Sequence, residues 1–289
     1  MTTTLLAVPN FSEGRDRASI DAIGAAFGMR PLDIHFDPDH HRTVFTLAGA
    51  PGRLAPAVLA GARRATEILD VTGHEGAHPR VGAIDVAPIV YLDDADRGAA
   101  TAEALVLADL LGERLELPVF LYGDLAGGRT RAELRRGGLT ALAQRIVEGE
   151  QRPDFGPHGL HPTAGAVLVT ARPPLVAFNV ELEPPATLDD ARAIAALIRE
   201  GGGEGLASVR AIGIWLTNRG IAQVSTNVED HRRTSLAAVV EAVRRYAPVA
   251  RAELVGLAPR AAFDHFPEDI PVDNLRLIED ALTTVDDTH

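Results

Sequence analysis

The stretch TGHEGAHPRVGAIDVAP, residues 72–88, decides how the first half of the chain is read. It contains His74-Glu75-Gly76-Ala77-His78, which fits the H-E-x-x-H pattern of zinc peptidases. Such a site needs both imidazoles on one face of an unbroken helix. Here Gly73 and Gly76 lie beside and within the pattern, and Pro79 follows His78 directly. A residue before proline is pushed away from helical angles. A helix would end where the metal needs support, so the stretch reads as a loop feeding a strand at Ile84–Leu92.

Working outward from that loop, Leu54–Leu69 before it has the apolar spacing of a long helix. Thr43–Ala48 and Leu32–Phe36 read as strands around the turn DPDHH. Arg17–Phe27 reads as a helix closed by Gly28, and Leu5–Pro9 as a short buried strand. The order is β-α-β-β-α-β, the split pattern of ferredoxin-like folds. After the loop, Ala99–Leu115 reads as helix, Val119–Tyr122 as strand, and Arg131–Arg136 and Ala141–Glu148 as short helices. RPDFGPHGLHPTAG (152–165) is too rich in Pro and Gly for regular structure, and Ala166–Thr170 is strand-like.

Beyond ARPP the order begins again. Leu175–Leu182 is a strand, Leu188–Arg199 a helix and GGGEG (201–205) a flexible loop. Val209–Leu216 and Ile221–Asn227 are strands, Ser235–Tyr246 a helix and Ala252–Val255 a strand. The expectation is an α+β protein of two halves, 1–174 and 175–289, with a boundary near Pro173-Pro174.

The 289 residues are 46% hydrophobic, enough for a sizeable core. There is no cysteine, which excludes disulfides, thiol nucleophiles and thiolate metal sites. All 28 basic residues are arginine, which excludes Schiff-base chemistry and a P-loop lysine. A net charge of −12 argues against nucleic acid, whose phosphates would be repelled. No apolar run is long enough to cross a bilayer, and the N-terminus does not read as a secretion signal. A cytoplasmic location, no membrane partner and no metal are the expectations.

A loop between helix and strand can aim an imidazole into a cleft, and histidine titrates closest to neutrality. His78 is therefore a candidate general base. Arg80 offers a guanidinium fork suited to a carboxylate, and Asp85 either orients a ring nitrogen or balances a cation. The plain alternative is a polar surface loop.

VPNFSEG (8–14), DPDHHRTV (37–44), HEGAHPRVGAIDVAP (74–88), VFLYG (119–123), RPDFGP (152–157), AFNVEL (177–182), AQVSTN (222–227) and AELVGL (252–257) together resemble, in order, segments of the glutamate formimidoyltransferase family. The resemblance spans Val8 to about Pro259 and implies the transferase part without a cyclodeaminase. It implies two α/β subdomains flanking a substrate tunnel, with a subdomain boundary near Leu175. The implied reaction moves a formimino group between N-formimino-L-glutamate and tetrahydrofolate, in histidine degradation, with tetrahydrofolate as co-substrate and no metal. The family's catalytic histidine, in its HPR motif, falls on His78. Its folate-binding segment falls on Gly156, Pro157, His158, Gly159, Leu160, His161, Pro162, Thr163, Ala164 and Gly165. Arg80 and Arg42 are candidates for glutamate carboxylates, and Asn10, at the end of the first strand, for a cleft-facing group. A homodimer is implied by resemblance alone. The alternatives are a formyltransferase using N-formylglutamate and a folate-binding protein with impaired catalysis.

The chain departs from the family's LDVDxxPxxNR segment: His35 stands where the family has its second aspartate, and His41 where it has asparagine. Ala164 stands where family members can carry tryptophan. An imidazole in place of a carboxylate removes an anion where a cation can develop; Asp37 substituting for it, a different substrate, and drift remain open. His40 and His41 otherwise read as a solvated turn, His231 and His265 as surface residues and Trp215 as core. His158 and His161 either line the folate loop or stand exposed. Glu13, like Asn10, either faces the cleft or caps the next helix. Gln223 and Asn227 face the implied tunnel or serve strand-end hydrogen bonds.

Overall fold

The computed structural model describes residues 3–286. The chain divides into two compact units, Met1–Pro173 and Pro174–His289.

The first unit runs β1 (Leu5–Ala7), β2 (Asn10–Phe11), α1 (Arg17–Ala26), β3 (Asp33–Asp37), β4 (Arg42–Gly49), α2 (Leu54–Ile68), β5 (Ile84–Tyr91), α3 (Arg97–Leu115), β6 (Val119–Leu121), α4 (Arg131–Arg135), α5 (Gly138–Val147) and β7 (Val167–Arg172). The strand expected at Leu5–Pro9 ends at Ala7, and β2, beyond the expected bounds, continues its track, each piece lying antiparallel between β4 and β5. Pro9 has no N–H to give the ladder, which accounts for the break. β3 pairs with β4 on one side, and on the other β7 runs parallel to β5 and β6 parallel to β7. The order β3-β4-β1/β2-β5 is that of the split pattern, widened by two parallel strands.

α1 forms because Ile20, Ile23 and Phe27 recur on one face and Asp16 accepts from the N–H groups of Ala18 and Ser19. Phe11, Phe27 and Phe45 meet edge to face or tilted, with ring centres 5.0–6.2 Å apart, at the centre of the core. The start of α2 has no capping side chain of its own. The buried carboxylate of Glu103 on α3 supplies one, accepting from Ala55 N at 2.6 Å and from Gly52 N. We expect Glu103→Ala to lower the unfolding free energy by about 2 kcal/mol, because it strands the buried Ala55 N–H and removes the partner of the part-buried Gly52 N–H. A urea titration showing a loss under about 0.5 kcal/mol would remove Glu103 as the interhelical cap.

The second unit runs β8 (Val176–Leu182), α6 (Leu188–Ile198), β9 (Val209–Leu216), β10 (Ile221–Val228), α7 (Leu236–Arg244), β11 (Val249–Val255), β12 (Val272–Asp273) and α8 (Ile278–Asp286). Its sheet order is β12-β11-β8-β10-β9, so the first four elements of the split pattern are repeated and β12 adds a parallel edge. α6 opens with a reciprocal Thr187–Asp190 capping box. Val176, Phe178, Val180 and Leu182 join Ile194, Ile198, Val239 and Val243 in one core.

Three sequence expectations are corrected here. Trp215 is 37% exposed rather than core: β9 is the edge strand, and α6 packs on Gly213, two residues earlier. GGGEG is tied down, with Gly202 N donating to Arg199 O at 2.8 Å and Glu204 N to Leu197 O at 2.9 Å. His231 is half-buried, whereas His265 is exposed as expected. Among the described residues no helix is long and apolar enough to cross a membrane.

Candidate active site

No helix runs through residues 72–80. The loop is held on two sides. Ala77 N donates to Asp39 O at 3.1 Å, and His41 Nδ1 lies 2.9 Å from Glu75 O, which fastens the loop to the β3–β4 turn. Gly76 makes that approach possible: a Cβ there would stand 2.7 Å from His40 O. On the other side Val71 N donates to Thr163 O, Ala83 N to Ala164 O and Ala166 N to Val81 O, at 2.8–2.9 Å. Gly165, at φ +70°, completes this seam, where a Cβ would come within 2.3 Å of Val81 O.

This packing overturns the solvated-turn reading of His40 and His41. His40 is 8% exposed, and its ring lies over that of His78 at 6.1 Å. His41 stacks on His74 at 3.9 Å and 17°, and its Nε2 lies 3.2 Å from Glu13 Oε1. The same Glu13 oxygen accepts from Arg15 N and Asp16 N, so Glu13 shapes the entry to α1 as well as meeting His41. The two histidines of the zinc-like pattern thus stack on different partners. Among the described residues no group of three or more His, Cys, Asp or Glu could hold a metal ion. Burial, with Arg80 and His41 adding to it, pushes His74 down to about 4, and neither of its ring nitrogens has a hydrogen-bond partner.

His78 stands at the end of a polar chain. Asn10 donates from Nδ2 to Val8 O at 2.7 Å, and its Oδ1 accepts from Arg42 Nε at 2.8 Å. Arg42 then reaches His78 Nδ1 at 2.9 Å and donates to Asp85 Oδ2 at 2.7 Å. Asp85 is fully buried; Oδ1 accepts from Val81 N at 2.8 Å, and Arg135 of α4 also donates to Oδ2. Asp85 therefore balances cations, and bears on His78 only through Arg42.

The charges follow from this crowding. Burial alone would raise the Asp85 carboxyl, but Arg135, Arg42 and the Val81 N–H outweigh it and hold it below the usual range. Burial pushes Arg42 down to about 10, with Arg135 and Arg131 adding to the effect and Asp85 opposing it. His78 keeps some exposed surface, yet protein atoms crowd its ring. Burial first, then Arg42, Arg135 and His40, drives it well below 6.5. Its Nδ1 lies 2.7 Å from Pro79 O as well as 2.9 Å from Arg42. If Nδ1 carries the proton it donates to the carbonyl, and Nε2 is a free base. If Nε2 carries the proton, Nδ1 accepts from Arg42, and Nε2–H is an acid.

Arg80 is half-buried beside Asp85, and its Nε has no hydrogen-bond partner. The ten-residue segment 156–165 is split. Thr163, Ala164 and Gly165 lie against the His78 loop through the seam above, whereas Gly156 packs against Leu117 and Gly112. His161 Nδ1 accepts from Ala164 N at 3.0 Å and so holds its own turn, and Leu160 packs on the Phe120 and Leu134 cluster. Pro157, His158 and Pro162 are exposed, and Gly159 is half-buried. His35 is buried on β3. The ladder sets it opposite Val44, which is opposite Asn10, so the substituted position shares the sheet face of Asn10. Sequence reading missed Arg131 and Arg135. Both lie on α4 after the capping Thr130, but nothing local aimed Arg135 at Asp85 or set Arg131 near Arg42.

Residues 4–172 match the family model described as the formiminotransferase domain, N-terminal subdomain, and residues 177–267 the one described as the formiminotransferase domain. Glutamate formimidoyltransferase of Streptococcus pyogenes is 38% identical, over 91% of each chain. That of Thermoplasma acidophilum is 36% identical, over 88% of each. The formimidoyltransferase-cyclodeaminase of Rattus norvegicus is 38% identical over 91% of this chain, which spans about half (51%) of that relative. These likenesses, on a fold of two α+β units, place the protein among the transferases. The chain belongs to the formiminotransferase family.

Proposed function

We propose that the protein moves a formimino group between N-formimino-L-glutamate and tetrahydrofolate, with His78 carrying the proton. The observation that supports this most is the double setting of His78 Nδ1 between a carbonyl and a guanidinium. In the reaction a folate nitrogen bonds to the amidine carbon and loses a proton, the bond from that carbon to the glutamate nitrogen breaks, and that nitrogen gains one. A neutral imidazole can accept the first proton at Nε2 and return it to the leaving nitrogen. The depressed pKa keeps the ring neutral, and so ready to accept, at physiological pH.

Arg42, Arg80 and Arg135 attend the one carboxylate of Asp85, so the immediate surroundings of that group favour anions. Arg80, without a partner at Nε, is the arginine we assign to a donor carboxylate. The backbone bonds of Thr163, Ala164 and Ala166 to the stretch around His78 support this reading, since a folate held by that segment would stand beside the base with a shortened search for reactive geometry. The test is a spectroscopic assay of purified protein with tetrahydrofolate and formiminoglutamate, with N-formylglutamate in parallel. We expect turnover with the formimino donor. Turnover with the formyl donor alone would replace this reading with a formyltransferase, and turnover with neither would remove it.

A further inference from the structure

α4 is five residues long, RAELR, well short of the length at which a helix holds itself in water. Contacts beyond its own ladder must keep it in place. Thr130 and Glu133 close its start as a capping box. Leu134, fully buried, packs in one cluster with Leu142 and Ile146 of α5. The third hold is Arg145 of α5, whose guanidinium turns back on the end of α4. Its Nη1 donates to Glu133 O at 2.8 Å, and its Nη2 to Leu134 O at 2.9 Å and Arg136 O at 3.1 Å.

An arginine as buried as Arg145, at 7% exposure, ordinarily has a carboxylate for a partner. Here the acceptors are all backbone carbonyls, the fourth being Ala141 O of its own helix at 3.3 Å. A buried cation satisfied by carbonyls alone fixes backbone rather than balancing a charge. The backbone it fixes is that of Glu133, Leu134 and Arg136, which bracket Arg135 on both sides. Arg135 is the residue of α4 that reaches Asp85. Asp85 also takes Arg42, and Arg42 lies 2.9 Å from His78 Nδ1. Arg135 has little of its own to hold that place. Among the described residues Asp85 is the hydrogen-bond acceptor of its side chain, and its Nε has none. A long, freely rotating side chain with one anchor stands where its backbone puts it.

We propose that Arg145 is a positioning residue for proton transfer at His78: by fixing the three carbonyls that bracket Arg135, it keeps that arginine against Asp85. This rests on the reading of His78 as the proton carrier.

The consequence is electrostatic. The His78 ring is held well below 6.5 by burial, by Arg42 of β4, by Arg135 of α4 and by His40 of the β3–β4 turn, while the Asp85 carboxylate bears on it only through Arg42. An Arg135 that drifts away removes one of these causes. NMR of protein labelled with 15N-histidine measures the titration without substrate, the His78 ring being identified by its loss in His78→Ala. In Arg145→Met the midpoint of that ring should move up towards 6.5, as in Arg135→Met. Arg135→Met and Arg145→Met combined should move it no further than Arg135→Met alone. The acid limb of kcat/KM should follow while the plateau persists. A ring restored to 6.5 is about one-tenth neutral at pH 5.5, so the rate there should fall by up to roughly 10-fold from the plateau. Glu103→Ala, which weakens the α2–α3 contact instead, should lower the melting temperature and leave the midpoint where it is. Should Arg145→Met fail to fold, Arg145→Gln carries the same comparison, because the shorter amide cannot span three carbonyls.

An unchanged midpoint overturns the proposal. So does an equal shift in Glu103→Ala, which would mark general loosening, and so does an additive shift in the double variant, which would mark a direct effect of the Arg145 charge. A midpoint that moves while the limb of kcat/KM stays still overturns instead the assignment of His78 as the proton carrier.

Discussion

His78→Ala is expected to lower kcat/KM for formimino transfer by roughly 100- to 10,000-fold, the range for loss of a general acid–base group. The loss should fall on kcat, since the ring is assigned to moving a proton rather than holding the donor. The fold should survive, because Arg42 keeps its bonds to Asn10 and Asp85 without the imidazole. The pH profile adds a sharper requirement. The base must be neutral, and its pKa lies well below 6.5 because of burial, Arg42, Arg135 and His40. The acid limb of kcat/KM in wild type should therefore lie below pH 6.5. Arg135→Met removes one of those cations without touching His78, so the limb should move up towards 6.5 while the plateau persists. Steady-state kinetics across pH measure both effects. Unchanged turnover in His78→Ala would end the role of the ring.

The parts of this molecule that were legible in sequence are those whose residues answer to local rules. Leu54–Ile68 repeats its apolar face over four turns, and β8 and β10 are long enough for their alternation to show. β2 and β12, of two residues each, give no period to detect, and their pairing is decided by distant strands. α8 lies beyond the last recognised segment and was not read at all. In the site, the prolines and glycines around His78 ruled out a helix, because their effect is on the adjacent backbone. The convergence of Arg135 and Arg42 on one carboxylate depends on where α4 packs, which no local pattern records.

The departure at position 41 has a local explanation that only the structure supplies. His41 has φ +51°, in the left-handed region that asparagine tolerates better than most residues, so the family's asparagine suits the turn. His41 is held there by Glu75 O, Glu13 and the ring of His74. His35 is different: it is buried on the face of Asn10, and nothing in its backbone setting demands an imidazole.

Asp85→Ala should be the most damaging single change to stability, at about 3–5 kcal/mol. The carboxylate is fully buried and accepts from Arg42, Arg135 and Val81 N, so its removal leaves two guanidinium groups enclosed without their anion. In a domain of this size that corresponds to a fall of roughly 10 °C in melting temperature. The sign of the pH dependence follows from the depressed Asp85 pKa. Its contribution is complete above 3.8, the value of the free carboxyl, and is lost as pH falls through the lower folded value. Wild type and Asp85→Ala should therefore differ most near neutrality and converge in strong acid. A loss of packing alone would not depend on pH in this way. The two causes separate further in the double variant Asp85→Ala, Arg135→Met. If uncompensated charge is the cause, removing one of the stranded cations should restore part of the melting temperature. If the second change only adds its own loss, the carboxylate is holding backbone at Val81 rather than balancing arginines.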